Sequence, residues 1–273
     1  QKDDFTDPYR ELTKEEYEAA RATTLDSFYT SPVIIREIYQ KLEDMGFRGG
    51  SILEPSMGVG NFFGAMPEDM RAGSRLLGVE KDGVSGRIAR LLYPEAQIWI
   101  AGFEETRFPQ ESFDVVVGNI PFGDSRLYDR RFAKENFVIH DYFIARSLEE
   151  VRPGGIVALI TSVGTMDKAD ESARRYYAAR AELLGAVRLP DLTFKAQAGT
   201  EVTSDILFFR KLENIRDEGN LPNWVNVHSF NGERDITINN YFTEHPEDVL
   251  GKLEKTSTAF GFDLTCNPDE NRP

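Results

Sequence analysis

Strand-like and helix-like segments alternate through the middle of the chain, and this alternation limits the possible folds more than any other feature. Strands are predicted at seven short apolar runs, at residues 51–53, 75–79, 96–100, 112–117, 156–161, 184–189 and 203–210. Helices are predicted between them at residues 61–65, 84–93, 136–151 and 170–183. Alternation over about 160 residues is typical of an α/β fold with a doubly wound, mostly parallel sheet. We therefore predict such a fold with seven strands.

The two flanks of this segment have a different character. Helices are predicted before it at residues 13–23 and 33–45, with Ser31 as a cap and Pro32 in the first turn of the second helix. After residue 213 the chain is polar with isolated aromatic residues. We expect an N-terminal helical segment at 1–46, a core at 47–212, and an extension or the start of another module at 213–273. Because the chain begins at Gln1 without a methionine, we expect it to be part of a larger protein.

Composition restricts the possible partners. The net charge of −14 argues against tight nucleic-acid binding by this chain alone, because phosphate contacts need clustered Lys and Arg. The single cysteine, Cys266, and three scattered histidines predict no disulfide and no metal site. No signal peptide and no apolar run long enough to cross a membrane is present, so a cytoplasmic location is expected.

A glycine loop follows the first predicted strand, at residues 53–63 (LEPSMGVGNFF). The two glycines allow the backbone to pass close to a ligand, and Glu80 closes the next strand where a ribose-binding carboxylate belongs. Both a nicotinamide and an S-adenosylmethionine enzyme fit this pattern. The third glycine of the dinucleotide motif is absent, since Phe63 occupies its position and Gly64 comes one residue late. Glu54 would repel a pyrophosphate but suit an ammonium group. These departures favour S-adenosylmethionine.

Five segments of the chain resemble one family, the amino-group (N6-adenine type) DNA methyltransferases. Residues 53–62 resemble its first motif, and residues 119–122 (NIPF) resemble its Asn-Pro-Pro-Phe/Tyr motif. Residues 28–32 (FYTSP) are similar to the aromatic-Tyr-Thr-Pro motif that precedes the first strand in the γ-type motif order. Residues 199–209 resemble a late strand of the type I modification-subunit-like branch. Residues 240–251 resemble the segment after the methylase domain in helicase–methylase fusions of mobile elements.

The resemblance implies a Rossmann-like class I methyltransferase fold and a set of site residues. The implied cofactor-binding residues are Tyr29, Thr30, Glu54, Pro55, Ser56, Gly58, Gly60, Asn61, Phe62, Glu80, Lys81, Phe103, Glu104 and Asn119. The implied catalytic residues are Asn119, Ile120, Pro121 and Phe122. For Phe103 the alternative is a place in the core below a surface turn.

The implied catalytic residues have distinct roles. The Asn119 side chain and the Ile120 carbonyl would accept the two hydrogens of the adenine amino group, and Pro121 would hold that carbonyl in an extended backbone. Phe122 would stack on the base after it is flipped out of the duplex. The sequence departs from the family at Ile120, where proline is usual, so the loop loses one restraint on φ.

The resemblance therefore implies a site-specific DNA methyltransferase of restriction–modification type, acting on N6 of adenine with S-adenosylmethionine. Methyl transfer to RNA or to a protein glutamine amide is an alternative, as is a non-catalytic cofactor-binding or interaction module. Because the chain is acidic, we expect weak DNA binding alone, with target recognition supplied by a neighbouring domain or subunit. The cationic stretch at 126–134 is predicted to be a solvated loop, with phosphate contact as the alternative.

Overall fold

A mixed seven-stranded sheet forms the centre of the computed structural model, which describes residues 30–191, 203–233, 235–258 and 261–269. Its strands are β1 (Ser51–Glu54), β2 (Arg75–Glu80), β3 (Gln97–Ile100), β4 (Phe113–Asn119), β5 (Val151–Ser162), β6 (Ala181–Leu189) and β7 (Ser204–Lys211). Their order across the sheet is β3-β2-β1-β4-β5-β7-β6. The neighbours from β3 to β5 are parallel, whereas β7 is antiparallel to both β5 and β6. The predicted mostly parallel, seven-stranded α/β sheet is confirmed.

Helices cover both faces of this sheet, as in other doubly wound folds. They are α1 (Pro32–Asp44), α2 (Asn61–Ala65), α3 (Glu68–Ala72), α4 (Gly83–Leu92), α5 (Ile139–Glu150), α6 (Gly164–Asp167) and α7 (Ser172–Arg180). Helix α1 begins as predicted, because the Ser31 side chain accepts a hydrogen bond from the Val33 N–H and Pro32 occupies the first turn. The apolar stripe of α1, including Ile35, packs against one face. Among the described residues, no helix is both long and apolar enough to cross a bilayer.

The strand order places a cleft at one edge of the sheet. Strand β1 has β2 as its neighbour on one side and β4 on the other, and the chain passes from β1 to β2. Ligands of open α/β sheets bind at the carboxyl ends of the strands, where the order reverses in this way. The glycine loop follows β1, and Asn119 is the last residue of β4. The two predicted motifs therefore meet at this point.

The C-terminal tail packs on the α/β core. It contains β8 (Val227–Ser229), β9 (Thr237–Asn239), α8 (Asn240–Glu244), β10 (Gly251–Thr258) and β11 (Gly261–Pro268). Its buried apolar residues, among them Trp224 and Phe242, belong to the same cluster as Phe209 of β7. Burial of these aromatic rings against the core stabilises the association. The division of the chain at residues 47 and 213 stays a prediction.

A buried ion-pair network joins the tail to the sheet. Arg188 of β6 is fully buried and lies 2.8 Å from Asp205 on the adjacent strand and 2.7 Å from Asp167 of α6. Its guanidinium also lies over the ring of Phe242 in α8, at 4.1 Å from the ring centroid. Asp167 in turn accepts a hydrogen bond from the Asn239 backbone N–H at 2.9 Å. The two carboxylates raise the pKa of Arg188, so its charge is retained in the core.

Candidate active site

A cleft of about 660 Å³ opens at the carboxyl ends of β1, β2, β3 and β4. It brings together most of the predicted site residues, namely Thr30, Glu54, Pro55, Ser56, Gly58, Asn61, Phe62, Glu80, Lys81, Phe103, Glu104, Asn119, Ile120 and Pro121. Gly60 and Phe122 do not line it. Phe28 and Tyr29, the first two residues of the FYTSP motif, lie outside the described residues. Because the sheet topology gathers these side chains from four separate strand ends, the cleft is the candidate active site.

The glycine loop keeps its shape through two left-handed residues. Gly58 has a φ of +55° and Gly60 a φ of +90°, a region that residues with a side chain rarely adopt. The Gly58 N–H donates a hydrogen bond to Glu80 at 2.7 Å, which ties the loop to the end of β2. Gly60 precedes α2 and faces Tyr93 instead of the cleft, since an added Cβ would collide with the Tyr93 ring.

The displaced third glycine has a packing role. A Cβ built on Gly64 would lie 2.7 Å from the Tyr93 hydroxyl oxygen, so this position also makes room for that side chain. Tyr93 packs edge-on against Phe63, with ring centroids 5.8 Å apart. Gly60 and Gly64 thus accommodate an aromatic residue of the chain itself. Gly64, one residue after the position of the third glycine in the dinucleotide motif, therefore has a role in packing.

Glu54 is a buried carboxylate at the base of the cleft. It is 2 % exposed, and its Oε2 atom has no hydrogen-bond partner among the described residues. Burial, with a smaller contribution from the Glu80 charge, raises the pKa of Glu54 well above its ordinary value. An uncompensated buried carboxylate is costly, and a cation placed beside it removes much of that cost. Glu54 therefore fits a ligand that carries an ammonium group.

Glu80 closes β2 and holds two backbone groups. Its oxygens accept hydrogen bonds from the N–H groups of Gly58 and Asp82, each at 2.7 Å. Burial raises the pKa of Glu80, and these two backbone donors oppose the rise. A carboxylate has about four acceptor positions, so Glu80 can still accept from ribose hydroxyls. Lys81 lies at the rim, 75 % exposed and 3.9 Å from Glu104, where an ion pair contributes little.

Phe103 belongs to the cleft wall, but its ring is buried in the core. Its ring is 2 % exposed and packs 5.2 Å from the Phe143 ring, with the Arg146 guanidinium 4.1 Å from its centroid. Arg146 is fully buried and also donates to the Phe103 carbonyl and to Thr106. The turn after β3 is thus held by α5 from below. This is the core position that the sequence analysis gave as the alternative, and the cofactor contact of Phe103 stays a prediction.

Asn119 is held in the cleft by two hydrogen bonds. Its side-chain Nδ2 donates to Thr30 Oγ1 at 3.2 Å, and its backbone carbonyl accepts from Ser56 Oγ at 2.8 Å. The first bond orients the amide, and the second joins the end of β4 to the glycine loop. Phe122 is half-buried and packs against the apolar clusters on both sides of the sheet. Its stacking on a flipped base stays a prediction.

Ile120 makes a hydrogen bond that the usual proline of the family could not make. Its N–H donates to the Ile160 carbonyl of β5 at 3.2 Å, and its side chain is 2 % exposed. Proline has no N–H and could not make this bond. Ile120 therefore adds one further hydrogen bond between the end of β4 and β5.

We expect Ile120→Pro to destabilise the fold. The buried Ile160 carbonyl would lose its partner and the core would lose apolar atoms, at a cost of about 2 kcal/mol or more. Ile120→Val keeps the N–H and serves as the matched control, with an expected cost of about 1 kcal/mol. Urea unfolding measures both. Equal stability of the two variants would contradict the role given to this hydrogen bond.

Sequence reasoning missed part of the cleft wall. The additional lining residues are Met57, Val59, Asp82, Ser85, Ala101, Gly102, Leu127, Ile139 and Phe143. Asp82 was accessible from the sequence, since it stands two residues after Glu80 and caps α4 by accepting from the Ser85 N–H at 2.7 Å. Leu127, Ile139 and Phe143 come from a loop and a helix that carry no local motif. The expectation of no metal site stays a prediction.

Comparison with known proteins decides the family. The family model for N-6 DNA methylases matches residues 1–235 of this chain. The chain belongs to the N-6 DNA methylase family. The resemblance found in the sequence motifs is thereby confirmed. A Listeria monocytogenes protein assigned to the class I S-adenosylmethionine-dependent methyltransferases superposes with a TM-score of 0.56 at 17 % identity, covering 69 % of this chain and 65 % of that one. The fold of this methylase is therefore the class I methyltransferase fold.

Two relatives show how this methylase compares with longer proteins. Defense against restriction protein B of Escherichia phage P1 is 35 % identical over 194 residues, which are 69 % of this chain and 8 % of the phage protein. The rRNA N(6)-adenosine-methyltransferase metl-5 of Caenorhabditis elegans is 31 % identical over 113 residues, which are 40 % of this chain and 49 % of the nematode protein. The chain thus spans less than half the length of each of these relatives.

Proposed function

We propose that this chain transfers a methyl group from S-adenosylmethionine to the N6 amino group of adenine in DNA. The observation that carries the proposal is the position of Asn119, Ile120 and Pro121, which line the same cleft as Glu54 and the glycine loop. A methyl donor held by the loop and an amine held at the end of β4 would share one enclosed space. Family membership supports the same reaction.

The acceptor side works through two hydrogen-bond acceptors. The lone pair of the adenine amino group is delocalised into the ring, so the site must favour a pyramidal nitrogen. The Asn119 side-chain oxygen and the Ile120 carbonyl would accept the two amino hydrogens and so direct the lone pair towards the methyl group. Thr30 keeps the Asn119 amide in one orientation by accepting from its Nδ2. The protein's contribution is chiefly the positioning of the two reactants.

The cofactor side depends on charge. Bound S-adenosylmethionine supplies a methyl group activated by a sulfonium. Glu54 would receive its ammonium group, and Glu80 would accept from its ribose hydroxyls. The backbone of the turn after β3, which α5 fixes through Arg146, would border the adenine. Glu80 and the turn after β3 are held by hydrogen bonds within the protein, which lowers the entropic cost of binding.

Methyl transfer to several acceptors tests the proposal. The purified chain is incubated with radiolabelled S-adenosylmethionine and unmethylated genomic DNA, with tRNA and a protein mixture in parallel. We expect label in DNA, recovered as N6-methyladenine after nuclease digestion. Cofactor binding without label in any acceptor would refute transferase activity and favour a non-catalytic module.

RNA is the second candidate acceptor. The nematode relative is an rRNA N(6)-adenosine methyltransferase, and its similarity extends over 113 residues. The two acceptors present the same amino group, so Asn119 and Ile120 would play the same roles. Label in tRNA but not in DNA would favour this alternative. Label in protein glutamine would refute both.

Partners are proposed from charge and length. With a net charge of −14 the chain should bind DNA weakly alone, so we propose that a neighbouring domain or another subunit provides target recognition. The matched region forms 8 % of the phage relative, which leaves ample length for such domains in that protein. A cytoplasmic location, where DNA and S-adenosylmethionine are both present, is part of the proposal.

We expect Glu54→Gln to weaken S-adenosylmethionine binding about tenfold to a hundredfold, because a charged hydrogen bond to the ammonium group is lost. Isothermal titration calorimetry measures this change. The wild-type affinity should also rise with pH, since the ammonium binds the ionised carboxylate and Glu54 holds its proton to a higher pH than usual. Glu213→Gln, at an exposed position just after β7, is the control and should retain wild-type affinity. An unchanged affinity in Glu54→Gln would contradict the role of Glu54.

The same variant should stabilise the ligand-free protein at neutral pH. In the unfolded chain Glu54 ionises near about pH 4.3, whereas in the folded protein its pKa is raised. Between the pKa of Glu54 in the unfolded chain and its higher pKa in the folded protein, the folded state binds more protons than the unfolded state. The free energy of unfolding therefore falls as pH rises. Glutamine removes this contribution. Urea unfolding from pH 5 to pH 8 should show a smaller decrease for the variant than for the wild type.

A further inference from the structure

An exposed aromatic side chain stands beside the mouth of the cleft. The segment from residue 123 to residue 138 connects the NIPF motif to α5. Within it Tyr128 is 81 % exposed, while Leu127 lines the cleft. Burial alternates from residue 126 to residue 130, so that Arg126, Tyr128 and Arg130 are exposed while Asp129 is buried. Arg130 begins a 3₁₀ helix (Arg130–Phe132), and the three exposed side chains follow one another at intervals of two residues.

The neighbours of Tyr128 are firmly anchored. The Ser125 carbonyl accepts from the Ile139 N–H at 2.7 Å, at the start of α5. Asp129 accepts from the Tyr142 hydroxyl at 3.0 Å and from Arg131 at 2.9 Å. Arg131 lowers the pKa of Asp129 to about 2, so this anchor is charged at all relevant pH values. Tyr128 is therefore exposed between two residues, Ser125 and Asp129, that hydrogen-bond to α5.

The charge at this position differs from that of the whole chain. Asp129 points inward and is paired with Arg131, which also lies 3.3 Å from Glu150. Arg126 and Arg130, which are both exposed, stand two residues before and two residues after Tyr128. The other carboxylates of the segment, Asp124 and Glu135, stand at its two ends, and Lys134 is adjacent to Glu135. In a chain of net charge −14, the centre of this segment presents cations on both sides of an aromatic ring.

We propose that Arg126, Tyr128 and Arg130 bind the nucleic-acid strand that carries the target adenine. The proposal rests on the proposed function, since it concerns the acceptor of that reaction. Tyr128 stacks on a base next to the target, and the two arginines contact the phosphates on either side. Stacking on an aromatic ring with cations along the backbone is the common way to hold a strand without reading its sequence. Sequence selection is left to other parts of the protein.

Binding of labelled oligonucleotides tests this surface. The probes are fluorescein-labelled single strands and duplexes with a central adenine in random flanking sequence. Tyr128→Ala should weaken binding about tenfold, because stacking on one base is lost. Tyr128→Phe keeps the ring and should bind as the wild type does. Replacing Arg126 and Arg130 together with serine should reduce the slope of log affinity against log salt by about 1.4 for single strands and about 1.8 for duplexes.

A matched control lies at the end of the sheet that is away from the cleft. Arg210 is half-exposed near the end of β7, where it pairs with Ile156 of β5, away from the cleft. Arg210→Ser should leave the affinity for the oligonucleotides and its salt dependence unchanged. Calorimetry should give the same S-adenosylmethionine affinity for all variants. Equal effects of Tyr128→Ala and Arg210→Ser would overturn the proposal. The proposal would also be overturned if Tyr128→Ala and the double arginine variant both bound the oligonucleotides as the wild type does. Absence of oligonucleotide binding by the wild type would overturn it as well.

The outcome separates this surface from the proposed reaction. Binding that depends on Tyr128 and the two arginines, without methyl transfer to any nucleic acid, would support the surface and refute the reaction. Transfer with a KM for DNA that none of the variants changes would refute the surface and leave the reaction standing. Cross-linking provides a second readout: 5-iodouracil next to the adenine should attach to Tyr128, and attachment only elsewhere would count against the proposal.

Discussion

Replacing Asn119 with alanine should reduce methyl transfer about a hundredfold to a thousandfold, which is typical for removal of one positioned hydrogen-bonding group from an active site. The side-chain oxygen that accepts an amino hydrogen would be lost, while Glu54 and the glycine loop would remain. The affinity for S-adenosylmethionine should therefore be largely unchanged. Radiolabelled transfer under single-turnover conditions measures the first quantity, and calorimetry measures the second.

Two further variants make this prediction specific. Thr30→Val removes the oxygen that accepts from Asn119 Nδ2, so the amide would lose its fixed orientation and activity should fall less than in Asn119→Ala. Asn220→Ala changes an exposed asparagine in the tail and should leave transfer unaffected. Full activity of Asn119→Ala would refute the acceptor role of this residue. Loss of cofactor binding with loss of transfer would instead assign Asn119 to the cofactor.

Asp205→Ala should lower the free energy of unfolding by about 3–5 kcal/mol, the usual cost of removing one partner from a buried ion pair. Arg188 would keep Asp167 but lose the carboxylate that lies 2.8 Å from its Nε. Its charge is also held against Phe242, so the packing of the tail should weaken with the core. Asp205→Asn retains a hydrogen-bond acceptor and should be less destabilising. Urea unfolding measures each variant.

The same pair of strands supplies the control. Glu182 of β6 stands opposite Arg210 of β7, just as Arg188 stands opposite Asp205, but both partners are about half-exposed. Glu182→Ala should cost at most about 1 kcal/mol, because water screens an exposed pair. Similar losses for Asp205→Ala and Glu182→Ala would show that burial does not determine the contribution of Arg188.

Much of the fold was accessible from the sequence because its signals are local. Strands β1, β2 and β4 end at residues whose chemistry marks them, namely Glu54, Glu80 and Asn119, and periodicity is enough to find the strands. The parallel order then brings these ends together without further information. The start of β5 at Val151 was less accessible, because Pro153 and the glycines after it predict a turn. Pairing of Val151 with Phe113 keeps this stretch in the sheet.

The remaining parts depend on contacts between distant residues. The tail reads as polar with isolated aromatics, yet Trp224 and Phe242 are buried against the core, and only the folded chain shows their partners. Leu127 and Phe143 line the cleft through the path of a loop and the orientation of α5, neither of which is encoded by a motif. The position of Phe103 is set in the same way, by Arg146 of α5.

The space that Gly60 and Gly64 leave for Tyr93 has a consequence for sequence variation. A side chain at either glycine would overlap the Tyr93 ring or its hydroxyl, so these positions cannot change independently. We expect relatives with a larger residue at the position of Gly64 to carry a smaller one at the position of Tyr93. A search for the glycine motif alone would then overlook them, whereas a search for compensating pairs would recover them.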